Sequence, residues 1–138
     1  MNPPELASDV RVSIEAEADI VSARTRGRAL AIQIGFSAAR ATLLATAISE
    51  LARNILLYAG HGEVQLSVEE NTARVGISVV ARDKGPGIAD LSQALQDGYS
   101  SSGRLGLGLP GVRRLMDSFE ARSAAGEGTV VVAKMWLS

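Results

Sequence analysis

Glu50 and Asn54 stand four residues apart in Ile48-Ser49-Glu50-Leu51-Ala52-Arg53-Asn54-Ile55. A carboxylate can take up or hold a proton, and an amide oxygen can ligate a hard cation. Spaced by four on a helix, the two side chains share one side. At roughly 100° per residue from Leu44, the centre of an apolar stripe, Glu50 falls about 120° away and Asn54 about 80° away. Both leave the margin of the buried face together. The pair reads either as an ordinary solvated pair or as a proton-handling carboxylate beside a cation ligand.

A second candidate is Asp83-Lys84-Gly85-Pro86-Gly87-Ile88, which follows an alternating stretch. An aspartate before a Gly-Pro-Gly turn can be turn chemistry alone. It can equally be a fixed carboxylate that accepts a hydrogen bond from an exocyclic amine, with Gly85 and Gly87 letting a flat ring approach the backbone. A third is the run from Gly98 to Gly111, GYSSSGRLGLGLPG. Seven of the chain's 14 glycines fall between Gly85 and Gly111. Small residues running into a helix N-terminus present bare amides and a helix dipole, which favour phosphate oxygens; the other reading is a flexible surface loop. Gly106-Leu107-Gly108-Leu109-Pro110-Gly111 fits the dinucleotide pattern GxGxxG, but no hydrophobic strand precedes it and residue 131 is Val where an acid is needed. The only lysines, Lys84 and Lys134, fit no GxxxxGK[ST] phosphate loop, and the kinase signatures VAIK, HRD and DFG are missing.

The elements that must position these groups follow from periodicity. Val10, Val12 and Ile14 alternate in a first strand over Asp9 to Glu15. Asp19 is a candidate N-cap for a helix to about Ile34, with Gly35 as its stop. Ser37 caps a longer helix to near Ala59, stopped by Gly60, with Leu44, Ile48, Leu51, Ile55 and Tyr58 as its stripe. His61 and Gly62 read as a turn. Glu63–Glu69 and Arg74–Arg82 alternate around a turn at Asn71–Ala73, as in an antiparallel hairpin. Asp90–Asp97 has room for two helical turns. Pro110 suits the first turn of a helix to Asp117 or Ser118. Phe119–Ala125 and Thr129–Leu137 read as closing strands around Gly126 and Gly128. The order predicts an α+β fold: a two-layer α/β sandwich, mostly antiparallel (mixed), with helices on one face.

The chain has 138 residues, fitting one domain over 1–138, with 1–8 as a flexible tail. Its net charge of -1 does not point to a nucleic-acid partner. It has no cysteine, which excludes disulfides, thiol catalysis and cysteine-ligated zinc. A reducing cytoplasm is compatible with that. The most apolar stretch, 41–57, is broken by Glu50, Arg53 and Asn54, so no membrane span is expected.

Four segments in order resemble the GHKL (Bergerat-fold) ATPase superfamily: ExxxN at Glu50 to Asn54, DxGxG at Asp83 to Gly87, the glycine-rich stretch Gly103 to Gly111, and Gly128-Thr129. Leu57-Tyr58-Ala59-Gly60, Asp97-Gly98-Tyr99-Ser100 and the stretch from Gly108 to Asp117, GLPGVRRLMD, are most similar to the small serine/threonine switch kinases of the bacterial stressosome and related partner-switching modules. The likeness covers nearly the whole chain. It implies a Bergerat ATP-binding fold with a glycine-rich ATP lid, and ATP and Mg²⁺ as cofactors. It implies Glu50 as the general base, Asn54 as the Mg²⁺ ligand and Asp83 as the acceptor for the adenine amine, assisted by Thr129. Gly85, Gly87 and Ile88 would border the base. Ser102, Gly103, Arg104, Leu105, Gly106, Leu107, Gly108 and Leu109 would wrap the phosphates. It further implies STAS-domain antagonist and scaffold proteins as phosphoacceptors, a PP2C-type phosphatase as downstream target, and no nucleic acid or membrane partner. The alternative is a nucleotide-dependent anti-sigma factor of the same superfamily. The first helix and the pair Arg113-Arg114 are candidate partner surfaces.

Overall fold

Alternating β-branched and aliphatic residues build strands that bury one side, and those strands need an apolar helical layer above them. The computed structural model, which describes residues 9–86 and 108–137, has that arrangement. Strand β1 (Asp9–Ile14) leads into helix α1 (Glu17–Ile34) and helix α2 (Ala38–Tyr58). Strands β2 (Gly62–Glu70) and β3 (Val75–Asp83) follow, then helix α3 (Leu109–Leu115), β4 (Ser118–Ala124) and β5 (Gly128–Trp136). The strands form one sheet in the order β1-β2-β3-β5-β4, and all four pairings are antiparallel. The α+β sandwich expected from the sequence is therefore present. The expected helical turns at Asp90–Asp97 and the tail at 1–8 lie outside the described residues.

Period-two burial fixes which side of the sheet meets the helices. Val12 and Ile14, Val64 and Leu66, Ile77, Val79 and Ala81, and Val131, Ala133 and Met135 are all buried. Above them lie Leu44, Ile48, Leu51 and Ile55 of α2 and Ile20, Leu30 and Ala31 of α1. Each large aliphatic side chain buried this way is worth about 1.5–3 kcal/mol relative to exposure.

The helix ends use the predicted punctuation in most places. Ser37 Oγ accepts from the Arg40 N–H at 3.1 Å, and Gly35 closes α1 with φ of 115°. Gly60, at φ of 85°, donates to Ile55 O. Asn71 Oδ1 holds the β2–β3 turn by accepting from Ala73 and Arg74 N–H groups. Two boundaries differ. Helix α1 begins at Glu17, so Asp19 is its third residue; its carboxylate reaches back to accept from the Glu15 and Ala16 N–H groups at 2.8 and 3.0 Å. A short acceptor serves orphan amides from either position. Helix α3 stops at Leu115, because the Asp117 N–H donates to Lys134 O and the Asp117 carboxylate accepts from the Trp136 N–H, drawing the chain into the sheet.

Candidate functional site

The sheet's inner face ends in a row of small and polar residues. Register pairs Ile14 with Gly62, Gly62 with Asp83, Asp83 with Thr129, and Thr129 with Ser123. Asp83 and Thr129 continue the parity of Ala81 and Val131, so both sit on the face that bears the core. Gly62 is what lets α2 close on this row. A Cβ there would lie 2.7 Å from the Ile55 methyl and 3.1 Å from Asp83 Cβ. Its place in β2 replaces the turn expected at His61-Gly62.

Asp83 is half-buried, and Oδ1 accepts from the Gly85 N–H at 2.9 Å. The other oxygen has no hydrogen bond among the described residues. It is an acceptor open to an exocyclic amine. Ser123 Oγ donates to Gly128 O at 3.1 Å and lies 2.9 Å from Thr129 Oγ1. Either hydroxyl of that pair can donate, and the Thr129 oxygen has a second lone pair to offer as an acceptor. Both groups beside the row thus offer acceptors on the same side. Sequence patterning missed Ser123 and Gly62, because only strand register places them here.

The Asp83 turn is fastened from two directions. Gly85 abuts α2 so closely that a Cβ would stand 2.5 Å from Ala59 Cβ. The Gly126 N–H donates to Pro86 O at 2.6 Å, from the β4–β5 turn.

The second part of the site lies along α2. Thr46, Glu50 and Asn54 follow one another at steps of four, one turn apart and roughly 6 Å along the axis per step. Glu50 and Asn54 are both half-buried, as the stripe geometry predicts. Glu50 lines a cavity of about 310 Å³ with Thr46, Gly108, Gly111, Val112 and Leu115. Its Oε2 is buried with no hydrogen-bond partner among the described residues. Burial raises the Glu50 pKa above its ordinary 4.5, and the Arg53 guanidinium one turn away partly opposes this. Such a carboxyl binds a proton more readily than an exposed one. Gly108 is the surface against it. A Cβ at this position, where φ is 21°, would stand 2.7 Å from the Glu50 carboxyl carbon.

Residues 85 and 108 therefore rest on the same helix, at Ala59 and at Glu50. The nine residue steps between those two points span roughly 13 Å. Asn54 lies between them. Leu109 is buried at the start of α3. Gly87, Ile88, Ser102, Gly103, Arg104, Leu105, Gly106 and Leu107 lie outside the described residues. No three His, Asp or Glu side chains gather as a metal cage among the described residues. A neutral amide such as Asn54 fits a cation that arrives already bound to a polyanion, since Mg²⁺ is held mostly by phosphates, waters and one or two protein oxygens. No helix among the described residues is long and apolar enough to cross a membrane.

Comparison with known proteins meets this geometry. The chain matches the histidine kinase-like ATPase domain over residues 13–135. It is 49% identical to the serine/threonine-protein kinase RsbT of Bacillus subtilis, over 91% of this chain and 95% of that one. It is 37% identical to the anti-sigma F factor of Pasteuria penetrans, over 65% of this chain and 64% of that one. Its fold superposes on the catalytic domain of the histidine kinase ThkA with a TM-score of 0.52, at 14% identity, covering 92% of this chain and 95% of that domain. The match runs from the end of β1 through nearly all of β5, and one relative agrees at nearly half of the aligned positions along nearly its full length: the chain belongs to the histidine kinase-like ATPase domain family.

Proposed function

We propose that the chain is an ATP- and Mg²⁺-dependent protein-serine/threonine kinase of a stressosome-type partner-switching pathway, acting in the cytoplasm on STAS-domain antagonist and scaffold proteins. Once released from them, it activates a PP2C-type phosphatase. One observation carries the catalytic part: Glu50, one turn from Asn54, has its Oε2 buried without a hydrogen-bond partner among the described residues, and its proton affinity is raised. Adenine binding alone has no use for that carboxylate. The identity to a serine/threonine-protein kinase supports the same reading.

In this reading the open Asp83 oxygen accepts the adenine amino group, and Thr129 accepts beside it directly or through water. Gly85, Gly87 and Ile88 border the base, and residues 102–109 surround the phosphates, with Arg104 adding positive charge. The Asn54 amide oxygen holds the metal. Bound Mg²⁺ neutralises phosphate charge. Glu50 orients the acceptor hydroxyl and takes its proton as the oxygen bonds to the γ-phosphorus; the bond to the ADP oxygen breaks, leaving phosphoserine and ADP. A placed base contributes about 10²- to 10⁴-fold, and positioning with charge neutralisation supplies the rest.

The test is incubation with labelled ATP and purified STAS-domain proteins, with mapping of any phosphoserine. Wild-type chain should transfer label, and Glu50→Ala should bind ATP without transferring it. Equal transfer by both would remove Glu50 from the mechanism. The similarity to an anti-sigma F factor favours one second reading, a nucleotide-dependent anti-sigma factor. A pull-down that captures a sigma factor and no STAS protein would establish that reading instead.

A further inference from the structure

We infer that the groove between α1 and α2 is the docking track for an acidic segment of the phosphoacceptor protein, delivering its hydroxyl to Glu50. This rests on the kinase reading above.

The groove has a volume of about 490 Å³. Arg24 and Arg28 of α1 line it opposite Thr42 and Thr46 of α2, and Ala29 and Ala45 contribute small side chains. Small residues leave width for a peptide or a helix edge. The charge is of one sign. Among the described residues neither Arg24 nor Arg28 has an ion pair. The acids of α1 are engaged elsewhere: Glu17 pairs with Arg53 at 3.5 Å, and Asp19 accepts from backbone at the head of the helix. Arg28 is held in place, because its Nε donates to Thr42 Oγ1 at 3.2 Å. That bond uses one of five guanidinium protons and leaves the terminal fork for a carboxylate.

Two further observations turn a basic groove into a track. Thr46 lines both this groove and the Glu50 cavity, so the two spaces meet at one residue, a single turn from the base. The arginines are also bracketed on their own helix face by Val21 and Ile32, exposed at 48% and 42%. By helical rotation these four residues fall within about 80° of one another. Apolar side chains around arginines match the composition of protein-binding surfaces, not of solvated helix faces. The nucleotide residues lie toward the C-terminal end of α2, at Asn54 and Ala59. An acceptor entering from the Thr46 side and a nucleotide held from the Asn54 side meet at Glu50, so that the hydroxyl lies beside both the base and the γ-phosphate.

The test is steady-state phosphorylation of a purified STAS-domain antagonist from the same organism by wild-type chain, Arg28→Glu, Arg24→Glu and Arg28→Lys. A charge on such a track acts mainly on association and on its salt dependence. Each Glu variant should raise the KM for the acceptor about tenfold and flatten its rise with salt. The kcat at saturating acceptor and the Kd for ATP should stay at wild-type values, and Arg28→Lys should keep most of the acceptor affinity. Unchanged acceptor KM in both Glu variants would overturn the track, as would a parallel loss of ATP affinity. So would a dimer in sedimentation that the Glu variants dissociate, since the groove would then bind a second copy. A wild-type chain that binds ATP but labels no STAS protein would sink the kinase reading and the track with it.

Discussion

A general base for a serine hydroxyl must be unprotonated in the ground state yet keen to take a proton. As the proposed base, Glu50 is set between these demands by two influences: burial raises its pKa above 4.5, and Arg53 pulls it back. Phosphoryl transfer should therefore fall as pH drops through a midpoint above the ordinary carboxylate value, and Arg53→Ala should move that midpoint upward. Rates of the two proteins should converge at high pH, where both bases are ionised; a midpoint that ignores Arg53 would show that another group limits the rate. Glu50→Gln should lower kcat by about 10²- to 10⁴-fold while ATP affinity holds. Its effect on stability has the opposite sign. A carboxyl with a raised folded pKa costs nothing at pH below the unfolded value, where both states are protonated. The cost grows as pH rises and is complete above the folded value. Glu50→Gln should thus gain stability in thermal melts near pH 7 relative to melts near pH 4. Asp83→Asn tests the other end of the site. In the proposed site it replaces part of an acceptor pair with a donor facing the adenine amine, so ATP should bind about 1–3 kcal/mol more weakly. Titration by calorimetry would read this directly, and wild-type affinity would remove Asp83 from adenine recognition.

Between residues and molecule stand contacts that only glycine permits. Gly85 lets the Asp83 turn lie on the last turn of α2, with no room for a methyl against Ala59. Gly85→Ala should push the turn away, weakening ATP binding and lowering the melting temperature. Adding Ala59→Gly removes the nearer collision and leaves the Ala59 Cα at 2.8 Å. The double variant should recover part of the ATP affinity, a coupling of about 0.5–3 kcal/mol in the cycle. Additive losses would mean that the contact does not position Asp83. This scale also marks what the sequence could reveal. The α2 stripe, Ser37, Gly35 and Gly60 carry period and punctuation in the residues themselves, so both helices and their stops were legible. The shared side of Glu50 and Asn54 on α2 was legible from the same period. Sequence alone places Asp19 at the cap, because an aspartate serves orphan amides from the cap or from the third position and composition does not separate the two. Ser123 and Gly62 were illegible as site neighbours. Their place depends on which strand pairs with which, and the order β1-β2-β3-β5-β4 is set by packing beneath the helices.

Across the molecule, α2 joins two tasks that its length keeps apart. Its 21 residues run roughly 30 Å. The end near Ala59 supports the Asp83 turn, and Glu50 and Asn54 occupy its later half. At its start Arg40 clamps the far end of the sheet. Its guanidinium donates to Trp136 O at 2.8 Å and to Leu137 O at 3.2 Å, and pairs with Asp117 at 3.6 Å. It also lies 5.1 Å from the centre of the Phe36 ring. These partners are 96 and 97 positions away in the chain, so one side chain ties the helical layer to the last strand. Charge-assisted bonds to backbone carbonyls of this kind are worth about 1.5–3 kcal/mol together with their geometry. Arg40→Ala should therefore lower the melting temperature by about 4–8 °C. Arg40→Lys should recover only part of this, because an ammonium cannot serve two carbonyls and a carboxylate from one planar fork. Neither variant should change the Kd for ATP, since the clamp is some 19 residues, roughly 28 Å, from the Ala59 end of the helix. A matching loss of ATP affinity in Arg40→Ala, measured well below its melting temperature, would show that the two ends of α2 are coupled through the sheet. The division of the fold into a structural end and a nucleotide end would then fail.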